Sequence, residues 1–463
     1  MIAAPTVSDP LVTALADLSP GAIRCGAEVG AGHAADRSVT PGVRPELLLR
    51  PADTSELSLM LAACNRLGRP VVVQGGRTGL AGGASPVPGE VALSLERMRG
   101  LGPVDPQAGT VLAEAGVPLQ QVQEAAAAQG LRLPVDIGAR GSATVGGMIA
   151  TNAGGIRVLA HGMMRRQVLG LEVVLADGTV LSRLGTLAKD NTGPDLKHLF
   201  IGTEGTLGVV SRAMLALVPA PGFTAMAFAA FAGIPQALAA LARLRGRLGR
   251  RLAAFEFIER RVHALAVEHG AVSPLPPGAP AYGMIEVEGA SDADRALFEE
   301  ELAALLSDGL VTDATVSRGA RDEAAWWRFR DELSEALFVV PDTHGFDIGV
   351  PPAALAAFLP AVEAEIRAAD PDARPWIFGH LGDGNLHYVV TTRQPEALAR
   401  IVYRRVAAAG GALSAEHGIG REKHQFLPLF RSPAEIATMR RLKVAMDPAG
   451  ILNPGRVLPE QAP

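Results

Sequence analysis

The stretch that most restricts how this chain can fold is Gly379–His387, G-H-L-G-D-G-N-L-H. Two histidines, His380 and His387, bracket a Gly-Asp-Gly turn that has to double the chain back on itself. Glycine accepts the positive φ such a turn needs. Short paired strands on either side would bring both imidazoles to one point. Farther on, S-A-E-H-G-I-G sets Glu416 and His417 beside another pair of glycines. Two imidazoles and a carboxylate form a common divalent-metal set, with coordination positions left for water or substrate. The competing reading is that these are separate loop residues, and the rest of the chain has to say what a metal would serve.

A chain of 463 residues exceeds what one hydrophobic core usually holds, so two or three domains are expected. Its net charge of −5 comes from interspersed acids and bases, which gives no single-sign surface for nucleic acid or an anionic membrane. Cys25 and Cys64 are the only cysteines. They exclude a disulfide framework, a cysteine zinc site and an iron–sulfur cluster held by this chain alone. The N-terminal M-I-A-A-P-T-V-S-D-P has no basic region ahead of an apolar core, so no signal peptide is expected. The most apolar run, Ala225–Ala242, is interrupted by Gly233, Pro235 and Gln236 and reads as a strand, a turn and a helix rather than a membrane span. These features predict a soluble intracellular protein.

Along the chain, a short helix is predicted at Pro10–Leu18 and a strand at Glu46–Pro51. Helical spacing follows over Thr54–Leu67, with Thr54 or Ser55 as N-cap. A β-branched run, Val71–Val73, leads into Q-G-G-R-T-G-L-A-G-G-A from Gln74, a loop whose backbone amides can approach a pyrophosphate. It is neither G-x-G-x-x-G nor a P-loop. A second small-residue stretch, Val135–Gly155, shows no helical or strand face, as expected of backbone wrapped around a ligand. Leu169–Leu175 and Thr179–Leu181 form a predicted hairpin around Asp177-Gly178. A third glycine-rich loop begins at Phe200. Past Pro219-Ala-Pro-Gly the composition changes. There the pattern predicts a helix at Pro235–Leu248, strands at Ala253–Glu259 and Tyr282–Val287, and helices at Ser291–Ser307 and Arg318–Phe338. On the last of these, Trp326, Arg330 and Ser334 share a face.

These motifs in this order, Q-G-G-x-T-G-L, G-A-R-G-S-A-T-V-G-G-M-I-A-T-N-A-G-G, K-D-N-T-G-x-D-L and G-T-E-G-T-L-G, resemble the FAD-linked D-2-hydroxy acid dehydrogenases. That family includes D-2-hydroxyglutarate dehydrogenases, D-lactate dehydrogenases and the flavin subunit of glycolate oxidase. The resemblance spans residues 43 to 457. It implies an α+β fold: a two-subdomain FAD-binding domain of the vanillyl-alcohol-oxidase type, then an α+β substrate domain with an antiparallel sheet. The expected limits are 1–220 for the FAD domain, 221–405 for the substrate (cap) domain with the metal site, and 406–463 for a C-terminal segment returning to the flavin. By the same resemblance Gln74, Gly75, Gly76, Arg77, Thr78 and Gly79 wrap the pyrophosphate. Gly138, Ser142, Gly146, Gly147, Asn152, Gly154 and Gly155 line the flavin, Glu204, Gly205 and Gly208 close the site, and Asn453 touches FAD. Some relatives tether FAD through a histidine in or near the first loop. Gln74–Ala84 has none, so non-covalent FAD is expected. Arg77 stands where many relatives carry Asn or a small residue, and Pro194 replaces a common Tyr.

Oxidising a 2-hydroxy acid requires loss of a proton from oxygen and a hydride from C2. The ligands expected for a divalent ion that acidifies the hydroxyl are His380, His387 and Glu416, with Zn²⁺ as default and Mn²⁺ or Fe²⁺ compatible. His417 is the expected general base, and flavin N5 the hydride acceptor. Electrons would leave to an external acceptor such as an electron-transfer flavoprotein or a quinone. The protein would be cytoplasmic, peripheral to a membrane at most through that acceptor, and compatible with a homodimer. The alternatives are a flavin-dependent transferase or synthase, a flavin-free metal-dependent hydrolase and a redox-silent binding protein. For the substrate, Arg330, Ser334 and His344 are the expected contacts. Relatives that hold a distal carboxylate use an Arg, a hydroxyl residue one helical turn later and a Lys, and the Lys position reads Gly345 here. An Asn common two residues after the second metal histidine reads Val389. Whole-chain similarity leans toward the D-2-hydroxyglutarate dehydrogenases, but those two departures predict a pocket that tolerates or prefers side chains without a distal carboxylate, D-lactate being the simplest.

Overall fold

A computed structural model describes residues 9–187 and 189–459. The chain divides into two compact units: one holds the stretch ending at Ala153, Met163–Ala220 and everything from His417 onward, the other Gly154–Gly162 and Pro221–Glu416. Two of the expected limits change. The C-terminal return begins at His417 rather than 406, because the helix Pro395–Ala408 packs on the helix Pro352–Ala369 and Ala412 bridges to Gly349 inside the second unit. The excursion 154–162 also belongs to that unit, although it interrupts the first in sequence.

The first unit contains two four-stranded sheets, which are its two subdomains. One orders Ile23–Cys25, Leu47–Leu49, Val91–Ser94 and Val71–Gln74, with parallel pairing about the Val91 strand. Of these, Leu47–Leu49 and Val91–Ser94 are buried at every position, as strands covered on both faces require. The helix Thr54–Arg66 packs there through Leu57, Met60 and Leu61. Its N-cap is Asp53, one residue before the expected Thr54, because the Asp53 carboxylate accepts from Glu56 N at 2.9 Å. The other sheet is antiparallel and carries the predicted hairpin, Val168–Val174 with Val180–Arg183. Gly178 turns it at φ +88°, against Ser58 O, where a Cβ has no room.

The second unit is built on a seven-stranded sheet that pairs antiparallel throughout. The order is Asp313–Val316, Phe223–Phe231, Ala281–Gly289, Leu252–Glu259, Arg374–His380, Asn385–Thr391 and Thr343–Gly349. Side chains alternate along a strand, and directly paired residues share a face. One face therefore holds Phe228, Met284, Ile258 and Phe378. They are buried with Trp326, Phe329 and Leu333 of the helix Ala320–Phe338 and Val262 of the helix Arg260–Glu268. The same face continues into Glu256, His380, Asn385, His387 and Asp347. An apolar floor thus gives way to a polar end, which is where chemistry has its residues. No helix among the described residues is long and apolar enough to cross a membrane.

Candidate active site

The paired strands predicted around the Gly-Asp-Gly turn are present, with His380 opposite Asn385 and Phe378 opposite His387. Two glycines are required. Gly379, at φ +145°, lies where a Cβ would meet Asn385 O at 2.6 Å, and Gly384, at φ +83°, where it would meet Val350 O at 2.4 Å. The turn sets the two imidazoles edge to face, 5.3 Å between centroids. One ligand atom each from His380, His387 and Glu416 lies within 4.8 Å of the other two. The predicted trio is brought together.

Each of these three side chains is held from behind. His380 Nδ1 lies 2.6 Å from Glu256 Oε1, while its Nε2 faces Glu416 Oε1 at 3.5 Å. A proton on Nδ1 donated to Glu256 leaves the Nε2 lone pair for a metal, and the carboxylate behind the ring raises its basicity. Arg330 Nε donates to the other oxygen of Glu256 at 2.6 Å, and its guanidinium lies over the Phe378 ring. Burial alone would raise the Glu256 carboxyl, but His380 and Arg330 outweigh it and hold it down at about 2. Burial likewise disfavours charged His380, and Glu256 and Glu416 reverse that and push it up to about 9 in the ion-free protein. Asp347 is buried beside His387, 4.0 Å from its Nδ1, and accepts from Asn385 Nδ2, Ser414 Oγ and Glu416 N. Removing one partner of the Glu256–Arg330 pair would leave a buried charge uncompensated, a loss of about 3–5 kcal/mol.

Arg330, expected to bind a substrate carboxylate, has its Nε bonded to Glu256, so such a role falls to its two Nη groups. Ser334 sits one helical turn on, partly exposed. His344 needs correction. It pairs with Val390, and the pleat puts both on the sheet face opposite to His387 and Asp347, with Phe346 one position of the same parity along, packed on Tyr403. The face that carries His380 and His387 presents Gly345 opposite Val389 instead.

In the first unit the glycine loops close on one another. A Cβ on Gly76 would lie 1.9 Å from Ser142 O, and one on Gly75 2.6 Å from Thr144 Oγ1. Thr144 Oγ1 is buried without a hydrogen-bond partner between Gly75 and Gly147, a cradle suited to a ligand held by backbone and hydroxyl. Arg77 in the first loop is already paired, its Nη1 3.4 Å from His33 Nδ1 and 3.7 Å from Glu96 Oε2. Other expected contacts have structural work. The Gln74 amide donates to His33 O and Ala84 O, and its oxygen faces His33 Nδ1 at 2.8 Å. Asn152 ends the helix Val145–Thr151 in the left-handed region, accepting from Arg165 N. Gly146 and Gly208 lie close against Ala115 and Val173. The Glu204 carboxylate accepts from Ile419 N and Gly420 N, at 2.7 and 2.9 Å, fixing the turn after His417. Asn453 accepts from Val73 N and donates to Glu204 O. Gly154 and Gly155 belong to the other unit, where Gly155 N donates to Glu416 Oε1 at 3.1 Å. Arg77 holds φ +55°, in the left-handed region where a side chain other than glycine or asparagine carries strain.

Sequence reasoning missed Glu256, Asp347, His33 and the clamp around Arg157. Glu256 and Asp347 each carried a signal, an acid inside an otherwise apolar strand, but their partners lie 124 and 40 positions on, beyond any local pattern.

Two family models match: the FAD binding domain over residues 45–183 and the C-terminal domain of the FAD linked oxidases over residues 220–457. Mitochondrial D-2-hydroxyglutarate dehydrogenase of Bos taurus is 39% identical over 427 residues, covering 90% of this chain and 77% of its own. D-2-hydroxyglutarate dehydrogenase of Xanthomonas citri pv. viticola is 38% identical over 425 residues, covering 89% of each. Among solved structures, 4-ethylphenol oxidase from Gulosibacter chungangensis has a TM-score of 0.75 at 18% identity, covering 98% of this chain and 99% of its own. Alkyldihydroxyacetonephosphate synthase reaches 0.74 at 17%, covering 96% and 84%. At those identities the structural likeness speaks for the fold alone. With matches to both family models, and more than a third of its residues shared with these dehydrogenases over nine-tenths of its length, the chain belongs to the FAD-linked oxidases, as an FAD-dependent D-2-hydroxy acid dehydrogenase.

Proposed function

We propose that this chain oxidises a D-2-hydroxy acid to the 2-oxo acid with the help of a divalent metal, and passes the electrons to an external acceptor such as an electron-transfer flavoprotein or a quinone. The observation that carries the metal reading is the convergence of His380 Nε2, His387 and Glu416, with Glu256 fixing the ring of the first. Bound FAD supplies a hydride acceptor at N5. A divalent ion on these three residues supplies a Lewis acid for a vicinal hydroxyl and carboxylate, with zinc the default and Mn²⁺ or Fe²⁺ compatible with the same donors. The remaining work falls to the chain. His417, the residue after Glu416, takes the hydroxyl proton on a ring nitrogen. Arg330 Nη and the Ser334 hydroxyl orient the acid, and the apolar floor of Phe378 and Trp376 keeps bulk water from C2. D-2-hydroxyglutarate and D-lactate are the two substrate poles, and Gly345 and Val389 favour the second. A transferase or synthase on this fold has no use for the histidine–histidine–glutamate set, and a flavin-free hydrolase has none for the glycine loops. Two free cysteines support a reducing compartment, the cytoplasm being the proposed one.

The test is anaerobic. Adding a D-2-hydroxy acid to the purified protein should bleach the oxidised flavin band, and prior chelation should abolish bleaching while leaving the flavin bound. Full bleaching after complete metal removal would sink the metal reading and leave the flavin one standing.

FAD is proposed to be non-covalent. His33, the imidazole that the fold brings to the first loop, has Nδ1 on Gln74 and Nε2 3.7 Å from Glu96, so it is occupied within the loop. Acid precipitation is expected to release the yellow colour into the supernatant; colour retained in the pellet would contradict this.

A further inference from the structure

We propose that Arg157 is a positioning residue for the metal site, clamping the 154–162 excursion so that it holds Glu416 and the turn between the two metal histidines. This rests on the metal reading above. The excursion is short: Gly154, Gly155, Ile156, then Arg157 as N-cap of the single-turn helix Val158–His161, then Gly162. A segment of that length has little core of its own and must be anchored through side chains.

The anchor is unusually polar. Glu286 and Glu288 are buried on the strand Ala281–Gly289, on the sheet face that also carries Glu256 and His380. Arg157 meets Glu286 with two donors, Nε to Oε1 at 2.6 Å and Nη2 to Oε2 at 3.1 Å, the forked geometry that a guanidinium provides and an ammonium does not. Trp327 Nε1 donates to Glu286 Oε2 at 2.8 Å. Arg157 Nε is also 3.4 Å from Glu288 Oε1, and His161 Nε2 lies 3.0 Å from Glu288 Oε2. Two buried carboxylates are thus met by two side chains of one excursion, and such buried charges are retained only when paired and bonded.

What the clamp presents is the reason to assign it a role. Two residues before Arg157, Gly155 N donates to Glu416 Oε1 at 3.1 Å, the same oxygen that faces His380 Nε2. Two residues after it, Leu159 covers Gly382 in the turn between His380 and His387, where an added Cβ would lie 2.8 Å from Leu159 Cδ2. One anchored segment therefore touches the carboxylate ligand and the loop that spaces the two imidazole ligands. Groups that orient first ligands this way typically change metal affinity by about 10–100-fold when removed.

The experiment measures metal affinity rather than turnover. Metal-free, FAD-loaded wild-type and variant proteins are titrated with Zn²⁺ against a chromophoric competing chelator, and melting temperature and flavin content are recorded beside each titration. Arg157→Met is expected to weaken Zn²⁺ binding by about 10–100-fold with flavin content unchanged, and Arg157→Lys to recover part of the loss. Zinc affinity of a folded Arg157→Met protein within about twofold of wild type, whatever its melting temperature, overturns the proposal, because a merely structural anchor would lower stability alone. If Arg157→Met does not fold, Trp327→Phe decides: it removes one donor to Glu286 and should weaken zinc in the same direction, and unchanged affinity overturns the proposal. A wild-type protein that binds no zinc, Mn²⁺ or Fe²⁺ fails at the earlier step and overturns the metal reading itself.

Discussion

Replacing His417 by alanine should cost about 10²–10⁴ in turnover, the usual contribution of a positioned acid–base group, while FAD and metal stay at wild-type content. His380→Ala and His387→Ala should instead lower metal content. The distinction follows from what stands behind each ring. His380 has Glu256 fixing Nδ1, with Nε2 left facing Glu416, the arrangement of a ligand. His387 sits edge-on to it with Asp347 behind. His417 follows in a turn whose next amides, Ile419 N and Gly420 N, are fixed on the buried side of Glu204, and Gly418 stands where a Cβ would meet that carboxylate at 2.8 Å. The backbone two and three residues beyond His417 is thereby pinned. Metal analysis and anaerobic single-turnover reduction of the flavin, run on all three variants, check the assignment. Loss of metal with retained chemistry in His417→Ala would exchange the ligand and base roles.

Much of the architecture was legible because it depends on local pattern. The Gly-Asp-Gly turn announced a hairpin with two imidazoles at its mouth, and β-branched runs followed by glycines announced strands leading into binding loops. The trio His380, His387 and Glu416 was legible for the same reason, each side chain lying within three residues of a glycine. Three things were not. The excursion 154–162 reads as part of the glycine-rich loop, and long-range pairings such as Arg157 with Glu286, His161 with Glu288 and Gly155 with Glu416 place it in the other unit. A loop glycine also has several uses that sequence cannot separate. Gly76 admits backbone contact with Ser142, Gly146 admits packing on Ala115, and Gly155 turns its amide to Glu416. His344 failed on parity: one position along a strand moves a side chain to the other face, and T-H-G-F-D-I-G carries no strict alternation that would set the register of the strand Thr343–Gly349.

That same parity makes the substrate prediction sharper. Wild-type protein is expected to use D-lactate, or another D-2-hydroxy acid without a distal carboxylate, in preference to D-2-hydroxyglutarate, and Gly345→Lys is expected to reverse much of the difference. Gly345 and Val389 are directly paired across the strands, on the sheet face of Asp347 and His387 and one pleat repeat away from them. Both positions that lack a polar group thus occur side by side next to the candidate metal ligands, and the wall they make is a hydrogen atom and an isopropyl group. A Cβ built on Gly345 meets only Val389 Cγ2, at 4.0 Å, so a lysine stem has room to start from this backbone. The Nε of Arg330 is already on Glu256, which leaves its Nη groups for any carboxylate. A charged hydrogen bond is worth about 1.5–3 kcal/mol, or roughly ten- to a hundredfold in kcat/KM, and an isolated carboxylate facing valine forgoes it. Steady-state kinetics on D-lactate, longer aliphatic D-2-hydroxy acids, D-malate and D-2-hydroxyglutarate measure the order directly. Gly345→Lys should raise kcat/KM for D-2-hydroxyglutarate by about ten- to a hundredfold with little gain for D-lactate, and adding Val389→Asn should extend the effect. A wild-type preference for D-2-hydroxyglutarate of a hundredfold or so would mean that Arg330 Nη and Ser334 suffice for the second carboxylate, and that the apolar pair at 345 and 389 does not set the specificity.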